Sequence, residues 1–294
     1  MSRRIMALLT ALAAALGLAV FLPMASASAA TCATAWNSSS VYTGGLVASY
    51  NGHNWSAKWW TQNERPGSSD VWADQGTCGG GSTEPPTSSG FVVSEAQFNQ
   101  MFPNRNSFYT YSGLTAALSA YPAFATTGSD TVKKQEAAAF LANVSHETGG
   151  LVYVVEQNTA NYPHYCDTSQ PYGCPAGTAA YYGRGPIQLS WNFNYKAAGD
   201  ALGIDLLDHP GLVQTDSAVA WKTGLWYWNT QTGPGTMTPH NAMVNGAGFG
   251  QTIRSINGSI ECDGGNPAQV QSRIDNYQRF VQILGTTAGS NLSC

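Results

Sequence analysis

Glu147 is the first residue of this sequence whose position suggests acid–base chemistry. It follows Phe140 and Val144 at i, i+4 and i+7, so its carboxyl group lies on the apolar stripe of a predicted helix. Removal of water raises the pKa of a carboxyl group, and one that keeps its proton at neutral pH can act as a general acid. The alternative interpretation is a frayed helix end whose glutamate reaches solvent.

A second carboxylate, Glu156, follows Glu147 along the chain. It comes after the apolar run 151–155 and before a polar segment, so we expect it to be more hydrated and ionised. One protonated and one ionised carboxyl group are what the hydrolysis of a glycoside requires. The chain contains 17 acidic residues, however, and the pair by itself is weak evidence for this chemistry.

Residues 181–190 are the third candidate part of a functional site. Their sequence is Tyr-Tyr-Gly-Arg-Gly-Pro-Ile-Gln-Leu-Ser. Two glycines and a proline fix a tight backbone path in this segment. We predict that Ser190 is the N-cap of the next helix and that Asn194 shares a helical face with it. A turn with a purely structural role is the alternative.

The segments that position these residues are predicted to be helices. The helix that carries Glu147 begins at Ser129 and ends at about Thr148, before two glycines. Further helices are predicted to open at Ser94, which forms a capping box with Gln97, at Asp216 and at Pro267. The segment 91–294 is therefore predicted to be mainly α-helical.

Residues 30–78 differ in composition from the rest of the chain. Residues 32–78 contain five of the nine tryptophans, in short runs that Gly-Gly and Asn-Gly interrupt, which predicts a small β-meander. Residues 79–90 are mostly Gly, Ser, Thr and Pro and are predicted to be a linker. The chain thus divides into a small all-β module, a linker and the helical segment.

Residues 1–29 are predicted to be a secretory signal peptide. Two arginines precede an apolar run, and overlapping A-x-A sites follow it. A membrane anchor is the alternative for this run. All six cysteines follow the predicted cleavage site of this signal peptide. An even number of cysteines in an oxidising compartment predicts disulfides. Proximity in sequence favours the pairs Cys32–Cys78, Cys166–Cys174 and Cys262–Cys294.

The composition narrows the class of ligand. Charged residues make up only 10% of the chain, and 13 basic against 17 acidic residues leave no basic excess for nucleic-acid phosphates. A hydrophobic content of 43% excludes intrinsic disorder. Many tryptophans and few charges suit a neutral polar ligand such as a carbohydrate.

Five ordered motifs resemble those of the glycoside hydrolase family 19 chitinases. They lie at residues 108–124, 145–148 (Ser-His-Glu-Thr), 182–190, 221–228 and 256–262. Together they span essentially all of residues 91–294. Residues 30–78, with Trp59 and Trp60 in Ala-Lys-Trp-Trp-Thr-Gln, resemble the family 5 chitin-binding modules.

The resemblance implies a mainly α-helical, lysozyme-like, bilobal catalytic domain that hydrolyses β-1,4-linked N-acetylglucosamine with inversion. It implies Glu147 as general acid and Glu156 as general base, with Ser190 helping to hold the attacking water. It further implies substrate contacts at Gln188, Asn194, Lys222 and Asn257, and a supporting ion pair of Glu261 with Arg273. In the module it implies exposed Trp59 and Trp60 rings, whereas strand alternation alone would bury one of them.

We therefore expect a secreted, monomeric endochitinase that binds chitin and chitooligosaccharides and has no nucleic-acid or membrane partner. Neither a metal nor an organic cofactor is expected. Gly150 stands where an H-E-x-x-H motif needs its second histidine, and no C-x-x-C pair occurs. A peptidoglycan hydrolase (a lysozyme or endolysin) and a non-catalytic chitin-binding antifungal lectin are the alternatives.

Overall fold

The computed structural model describes residues 32–34, 36–38, 40–78 and 91–294. The chain forms two compact units whose boundary falls between Glu84 and Pro85. The predicted signal peptide, 1–29, and the predicted linker, 79–90, lie outside the described residues. Within the described part of the chain, none of the helices has the length and apolar character needed to cross a membrane.

The N-terminal unit is a small β-structure with two sheets. Its strands are β1 Val41–Tyr42, β2 Val47–Tyr50, β3 His53–Ala57, β4 Thr61–Gln62 and β5 Trp72–Thr77. Strands β2, β3 and β5 form an antiparallel sheet, and β1 pairs with β4. The predicted meander is wrong in this respect, because β4 leaves the sheet between β3 and β5. The core beneath the sheet is small, and the Cys32–Cys78 disulfide closes the unit.

Trp59 and Trp60 lie between β3 and β4, outside both strands. They are 57% and 61% exposed, respectively. The alternation of side chains that buries every second residue of a strand does not apply to this connection. Both rings are therefore available to a ligand.

The C-terminal unit contains nine α-helices among its described residues. They are α1 Glu95–Met101, α2 Tyr111–Ala117, α3 Asp130–Thr148, α4 Asn192–Leu202, α5 Leu212–Thr215, α6 Ser217–Thr230, α7 Pro239–Val244, α8 Phe249–Glu261 and α9 Pro267–Ile283. Two short 3₁₀ helices span Leu118–Ala120 and Thr159–Tyr165.

Four of the predicted helix starts are confirmed. The side chains of Ser94, Ser129 and Asp216 cap α1, α3 and α6, and Pro267 occupies the first turn of α9. Helix α3 ends at Gly149, whose φ of 61° lies in the left-handed region that glycine adopts without steric cost. Local capping chemistry thus sets the ends of the helix that carries Glu147.

Two hydrophobic cores lie within the C-terminal unit. The first surrounds α3 and includes Phe140, and the second is built mainly from residues 181–220. Helix α6 belongs to both, since Trp221 and Trp228 lie in the first core while Trp226 lies in the second. A helix that is apolar on several faces must be covered on several faces. The result is the lysozyme-like, bilobal architecture expected from the sequence.

Three disulfides are present in the described structure, and their pairing is the one that sequence proximity favoured. They are Cys32–Cys78, Cys166–Cys174 and Cys262–Cys294. No free cysteine remains among the residues that the structure describes. Each bond lies within one unit of the chain.

The end of the chain packs tightly against α8. The Gly250 amide donates to the carbonyl oxygen of Asn291 at 2.9 Å, and Cys294 is bonded to Cys262 just after the helix. A Cβ atom added at position 250 would lie 2.0 Å from the carbonyl oxygen of Ser293. Only glycine permits this approach of the two backbones.

We expect Gly250→Ala to lower the stability of the protein by about 1–3 kcal/mol, because overpacking displaces the C-terminal segment. The loss outweighs the better helix propensity of alanine. Thermal unfolding measures the change. Gly211→Ala is the matched control, because a Cβ atom there meets nothing within 4 Å. Equal melting temperatures for the two variants would contradict this account.

Candidate active site

A polar cavity of about 340 Å³ is lined by residues from both lobes of the C-terminal unit. Five residues selected from the sequence line it, namely Glu147, Gln188, Ser190, Asn194 and Asn257. Five further residues complete the lining and were not predicted to belong to the site: Tyr165, Ile187, Leu189, Tyr227 and Ile256. Folding thus brings together side chains from four separate motifs.

Glu147 enters the cavity from the last turn of α3. Its side chain is 17% exposed, and it accepts a hydrogen bond from Nη2 of Arg273. Helix α3 is regular up to its glycine cap, so the frayed end considered from the sequence does not form. A buried cation, in addition to the apolar stripe, therefore shapes the surroundings of this carboxyl group.

Arg273 is fully buried and connects several helices. It donates to both carboxylate oxygens of Glu261 at 2.8 Å and to Oδ1 of Asn143 at 3.0 Å, besides its bond to Glu147. Burial raises the pKa of Glu261, but the hydrogen bonds and charge of Arg273 outweigh it, so the net shift is downward. Glu261 is consequently an anion that compensates the arginine.

Glu156 is half-buried, and its carboxylate accepts three hydrogen bonds from uncharged donors. Its Oε1 accepts from Nδ2 of Asn161 at 2.8 Å and from the Tyr165 hydroxyl at 3.0 Å, and its Oε2 accepts from the Gly183 amide at 3.4 Å. Burial, together with the bond to Glu156, raises the pKa of Tyr165 to about 12. The phenol therefore keeps its proton, and it links Glu156 to the cavity that Tyr165 itself lines.

A short antiparallel ladder joins the segment of Glu156 to that of Ser190. Val155 pairs with Arg184, and Arg184 pairs in turn with Leu189. Glu156 directly follows the first of these residues, and Ser190 directly follows the last. The backbone thus fixes the positions of these two candidate residues relative to each other, although they lie far apart in the sequence.

The predicted helix cap at Ser190 is wrong by one position. Helix α4 begins at Asn192, and its N-cap is Trp191, whose side chain makes no capping hydrogen bond. Trp191 has a φ of 73°, in the left-handed region, and this conformation turns the chain after Ser190. Ser190 lines the cavity instead of capping a helix.

The remaining residues predicted to contact substrate have different surroundings. Gln188 lines the cavity with a φ of 51°, and Asn194 donates to the carbonyl oxygen of Ser190 at 3.0 Å. Asn257 interrupts the helical backbone of α8 and donates to Glu261 at 2.8 Å. Lys222 is half-buried on α6 and is not among the residues that line the cavity.

Two tyrosines of the cavity, Tyr165 and Tyr227, were not among the residues predicted from the sequence. Burial and the nearby charge of Glu147 raise the pKa of Tyr227 to about 12, and its hydroxyl donates to the carbonyl oxygen of Ser255 at 2.9 Å. Tyr165 reaches Glu156 from the 3₁₀ turn. The available signals were the aromatic motif around Tyr227 and the cysteine that directly follows Tyr165, which anchors its loop.

A helical, two-lobed domain with a glutamate in a polar cavity is the arrangement of a glycoside hydrolase of lysozyme-like fold, and the comparisons with known proteins agree with this class. The family model described as chitinase class I matches residues 92–294, and that of carbohydrate-binding module family 5/12 matches residues 35–73. The chain therefore belongs to the glycoside hydrolase family 19 chitinases and carries an N-terminal module of family 5/12.

Individual relatives agree with this assignment. Chitinase 3 of Oryza sativa subsp. japonica is 40% identical over 254 residues, which cover 74% of this chain and 79% of that protein. The crystal structure of chitinase C from Streptomyces griseus HUT6037 is 78% identical, with a TM-score of 0.69 over 90% of this chain and 100% of that one. A family 19, class IV chitinase from Zea mays is 42% identical, with a TM-score of 0.61 over 69% and 98% of the two chains.

We expect Glu261→Gln to destabilise the protein by about 3–5 kcal/mol, because removing one partner of a buried ion pair leaves the other charge uncompensated. The folded-state pKa of Glu261 lies below its ordinary value of 4.5, so the stabilisation is complete above that pH and is lost as the pH falls through the folded value. Melting temperatures measured between about pH 3 and pH 7 test both effects.

The control is Asp263→Asn, which breaks an exposed ion pair with Arg254 and should have a small effect. In Glu261→Gln the fall of the melting temperature below pH 4.5 should be shallower than in the wild type. A variant as stable as the wild type at neutral pH would contradict the role assigned to this ion pair.

Proposed function

We propose that this protein is a secreted endochitinase that cleaves β-1,4 linkages of chitin and chitooligosaccharides by single displacement, with inversion at the anomeric carbon. One observation carries the proposal: Glu147 and Ser190 line one cavity, and a backbone ladder ties Ser190 to Glu156. The names of relatives, such as the endochitinase of Phaseolus vulgaris, support the choice of substrate.

Glu147 is the general acid in this mechanism. Arg273 donates to its Oε1, which leaves Oε2 to carry the proton that passes to the glycosidic oxygen as the bond to the anomeric carbon breaks. Because Glu261 compensates the charge of Arg273, the arginine orients the carboxyl group while adding little net charge beside it. The acid thus keeps a fixed direction in both of its protonation states.

Glu156 is the general base, and Ser190 holds the attacking water. The water adds to the anomeric carbon on the face opposite the leaving oxygen and gives a proton to Glu156, so the first product is the α-anomer. The three groups that contact the Glu156 carboxylate all donate, as suits an ionised acceptor. Inversion requires about 6.5–9.5 Å between the two carboxyl groups, which leaves room for the water.

Amide side chains bind the sugar in this proposal. Gln188, Asn194 and Asn257 line the cavity and can both donate and accept, which suits the hydroxyl and acetamido groups of a neutral substrate. Lys222 is assigned a further contact by its motif. The low charge of the chain is consistent with an uncharged polymer as ligand.

The N-terminal module and the disulfides support the cellular setting of the proposal. Three disulfides agree with an oxidising, extracellular compartment, to which the leader 1–29 would direct the chain. The exposed rings of Trp59 and Trp60 can stack on sugar faces of the insoluble polymer. The module would then raise the local concentration of the catalytic domain at the chitin surface.

We expect Glu147→Gln and Glu156→Gln each to lower kcat on soluble N-acetylglucosamine oligomers by about 10²–10⁴-fold, because each removes a proton-transfer group. Thermal unfolding checks that the variants are folded. The exposed glutamate of the first turn of α1 supplies the control, Glu95→Gln, which should keep wild-type turnover. Early products of the wild-type enzyme, analysed by NMR, should be α-anomers.

Other outcomes select the alternatives. Appreciable turnover by folded Glu147→Gln would exclude the proposed acid. Clearing of cell-wall suspensions without release of N-acetylglucosamine oligomers from chitin would identify a peptidoglycan hydrolase. Binding to chitin without any new reducing ends would identify a lectin.

We expect the double substitution Trp59→Ala, Trp60→Ala to lower activity on insoluble chitin several-fold and to leave activity on soluble oligomers unchanged. Tethering raises concentration at a surface and does not alter the chemical step. Gln75→Ala, at an exposed position of β5, is the control in the same module. An equal loss on both substrates would mean that the rings do not act through adsorption to the polymer.

A further inference from the structure

Three stacked side chains that take no part in the proposed chemistry lie behind Glu156. The rings of Tyr162 and Tyr182 are parallel within 9°, with their centroids 3.6 Å apart. The guanidinium carbon of Arg184 lies 3.5 Å from the centroid of the same Tyr182 ring. Two groups this close to one ring must occupy its opposite faces, so Tyr182 lies between Tyr162 and Arg184.

The outer member of the stack belongs to the turn that holds Glu156. Tyr162 lies in the 3₁₀ helix Thr159–Tyr165, between Asn161 and Tyr165, which both donate to the Glu156 carboxylate. The hydroxyl of Tyr162 donates to the backbone carbonyl oxygen of Glu156 at 2.9 Å. A displacement of this turn would therefore carry both donors away from the carboxylate.

The inner member of the stack is anchored in the second core. Arg184 is only 4% exposed, and it donates to the carbonyl oxygen of Ala180 at 2.7 Å, to the Tyr195 hydroxyl at 2.8 Å and to Oε1 of Gln214 at 2.7 Å. Among the residues that the structure describes, no carboxylate forms an ion pair with it. The π face of Tyr182 and these neutral acceptors compensate its burial.

The middle of the stack belongs to the ladder. Tyr182 and Arg184 flank Gly183, whose carbonyl oxygen accepts from the Glu156 amide at 2.8 Å and whose own amide contacts the Glu156 carboxylate. Residues two apart in an extended segment point to the same side, which allows Arg184 to cover the ring of Tyr182. The ladder thus fixes the backbone of Glu156, and the stack fixes the turn that orients its side chain.

We propose that Tyr162, Tyr182 and Arg184 are positioning residues for Glu156. The stack holds the turn 159–165 against the ladder, and Asn161 and Tyr165 consequently hold the carboxylate in the orientation that receives a proton from water. Neither Glu156 nor any of the three stacked residues is among those that line the cavity, which Tyr165 links to the Glu156 carboxylate. This inference rests on the proposed role of Glu156 as general base.

Tyr162→Leu removes the outer ring of the stack. We expect kcat on a soluble N-acetylglucosamine hexasaccharide to fall about 10- to 100-fold, since small misplacements of a catalytic group have effects of this size. KM should change less than about twofold, because in this proposal the stack acts on the Glu156 carboxylate and not on the substrate. Tyr162→Phe keeps the ring and removes only the bond to the Glu156 carbonyl oxygen, so it should recover most of the lost kcat.

Tyr172→Leu is the matched control for a general loss of stability. Tyr172 is a half-buried tyrosine of the disulfide loop that follows the turn, it packs against the same second core, and it is not part of the stack. Its melting temperature should fall to a similar extent as that of Tyr162→Leu while kcat stays at the wild-type value. Equal losses of kcat in the two variants would overturn the proposal.

A double-mutant cycle with Glu156→Gln tests the positioning role of Tyr162 separately from the role of Glu156 as general base. If Tyr162 acts through Glu156, Tyr162→Leu should lower the residual kcat of Glu156→Gln by less than about twofold. A full additional 10- to 100-fold loss in that background would overturn the positioning role and leave the base assignment intact. Wild-type kcat in Glu156→Gln alone would instead refute the proposed function of Glu156.

Discussion

The site depends on one buried guanidinium group, that of Arg273. It joins α9 to α3 through Asn143 and Glu147 and to the end of α8 through Glu261. Burial lowers the pKa of Arg273, but its two carboxylate partners outweigh burial and hold the pKa above its ordinary value. The charge is permanent, and the fold compensates it inside the first core. The same interaction that ties the helices together therefore directs the Glu147 carboxyl group into the cavity.

The two carboxyl groups are supported in different ways. Glu147 comes from a long, capped helix of the first core and contacts a cation, whereas Glu156 comes from an irregular segment and contacts only neutral donors. A group on a regular buried helix is placed by packing, because the helix cannot shift without disturbing the core. A group in a loop needs dedicated contacts. The ladder and the stack supply those contacts for Glu156, and they connect it to the second lobe.

Several features of the site could be predicted from the sequence because their causes are local. Ser129 and Gly149 bound α3 through capping chemistry, and the resemblance of short motifs pointed to five of the residues that line the cavity. The prediction of a cap at Ser190 failed for a local reason as well, since nothing in the pattern signals the left-handed φ of Trp191. The prediction of a meander was wrong because β4 pairs with β1 and not with its neighbours in sequence. This pairing depends on how the whole module closes.

The sequence by itself determined the starts of α1, α3, α6 and α9, the disulfide pairs, the two units and the family, because capping, periodicity, proximity of cysteines and motifs act over a few residues. Only the tertiary structure decided which groups meet at the site. Arg273 and Glu147 are 126 positions apart, and their contact exists because α3 packs against α9. Asn161 and Tyr165, which donate to the Glu156 carboxylate, are close to it in sequence. The orientation of their side chains nevertheless depends on the stack that anchors the turn to the second core. The packing of helices and turns against one another sets the orientation of these side chains. The order of residue types along the chain does not specify that packing.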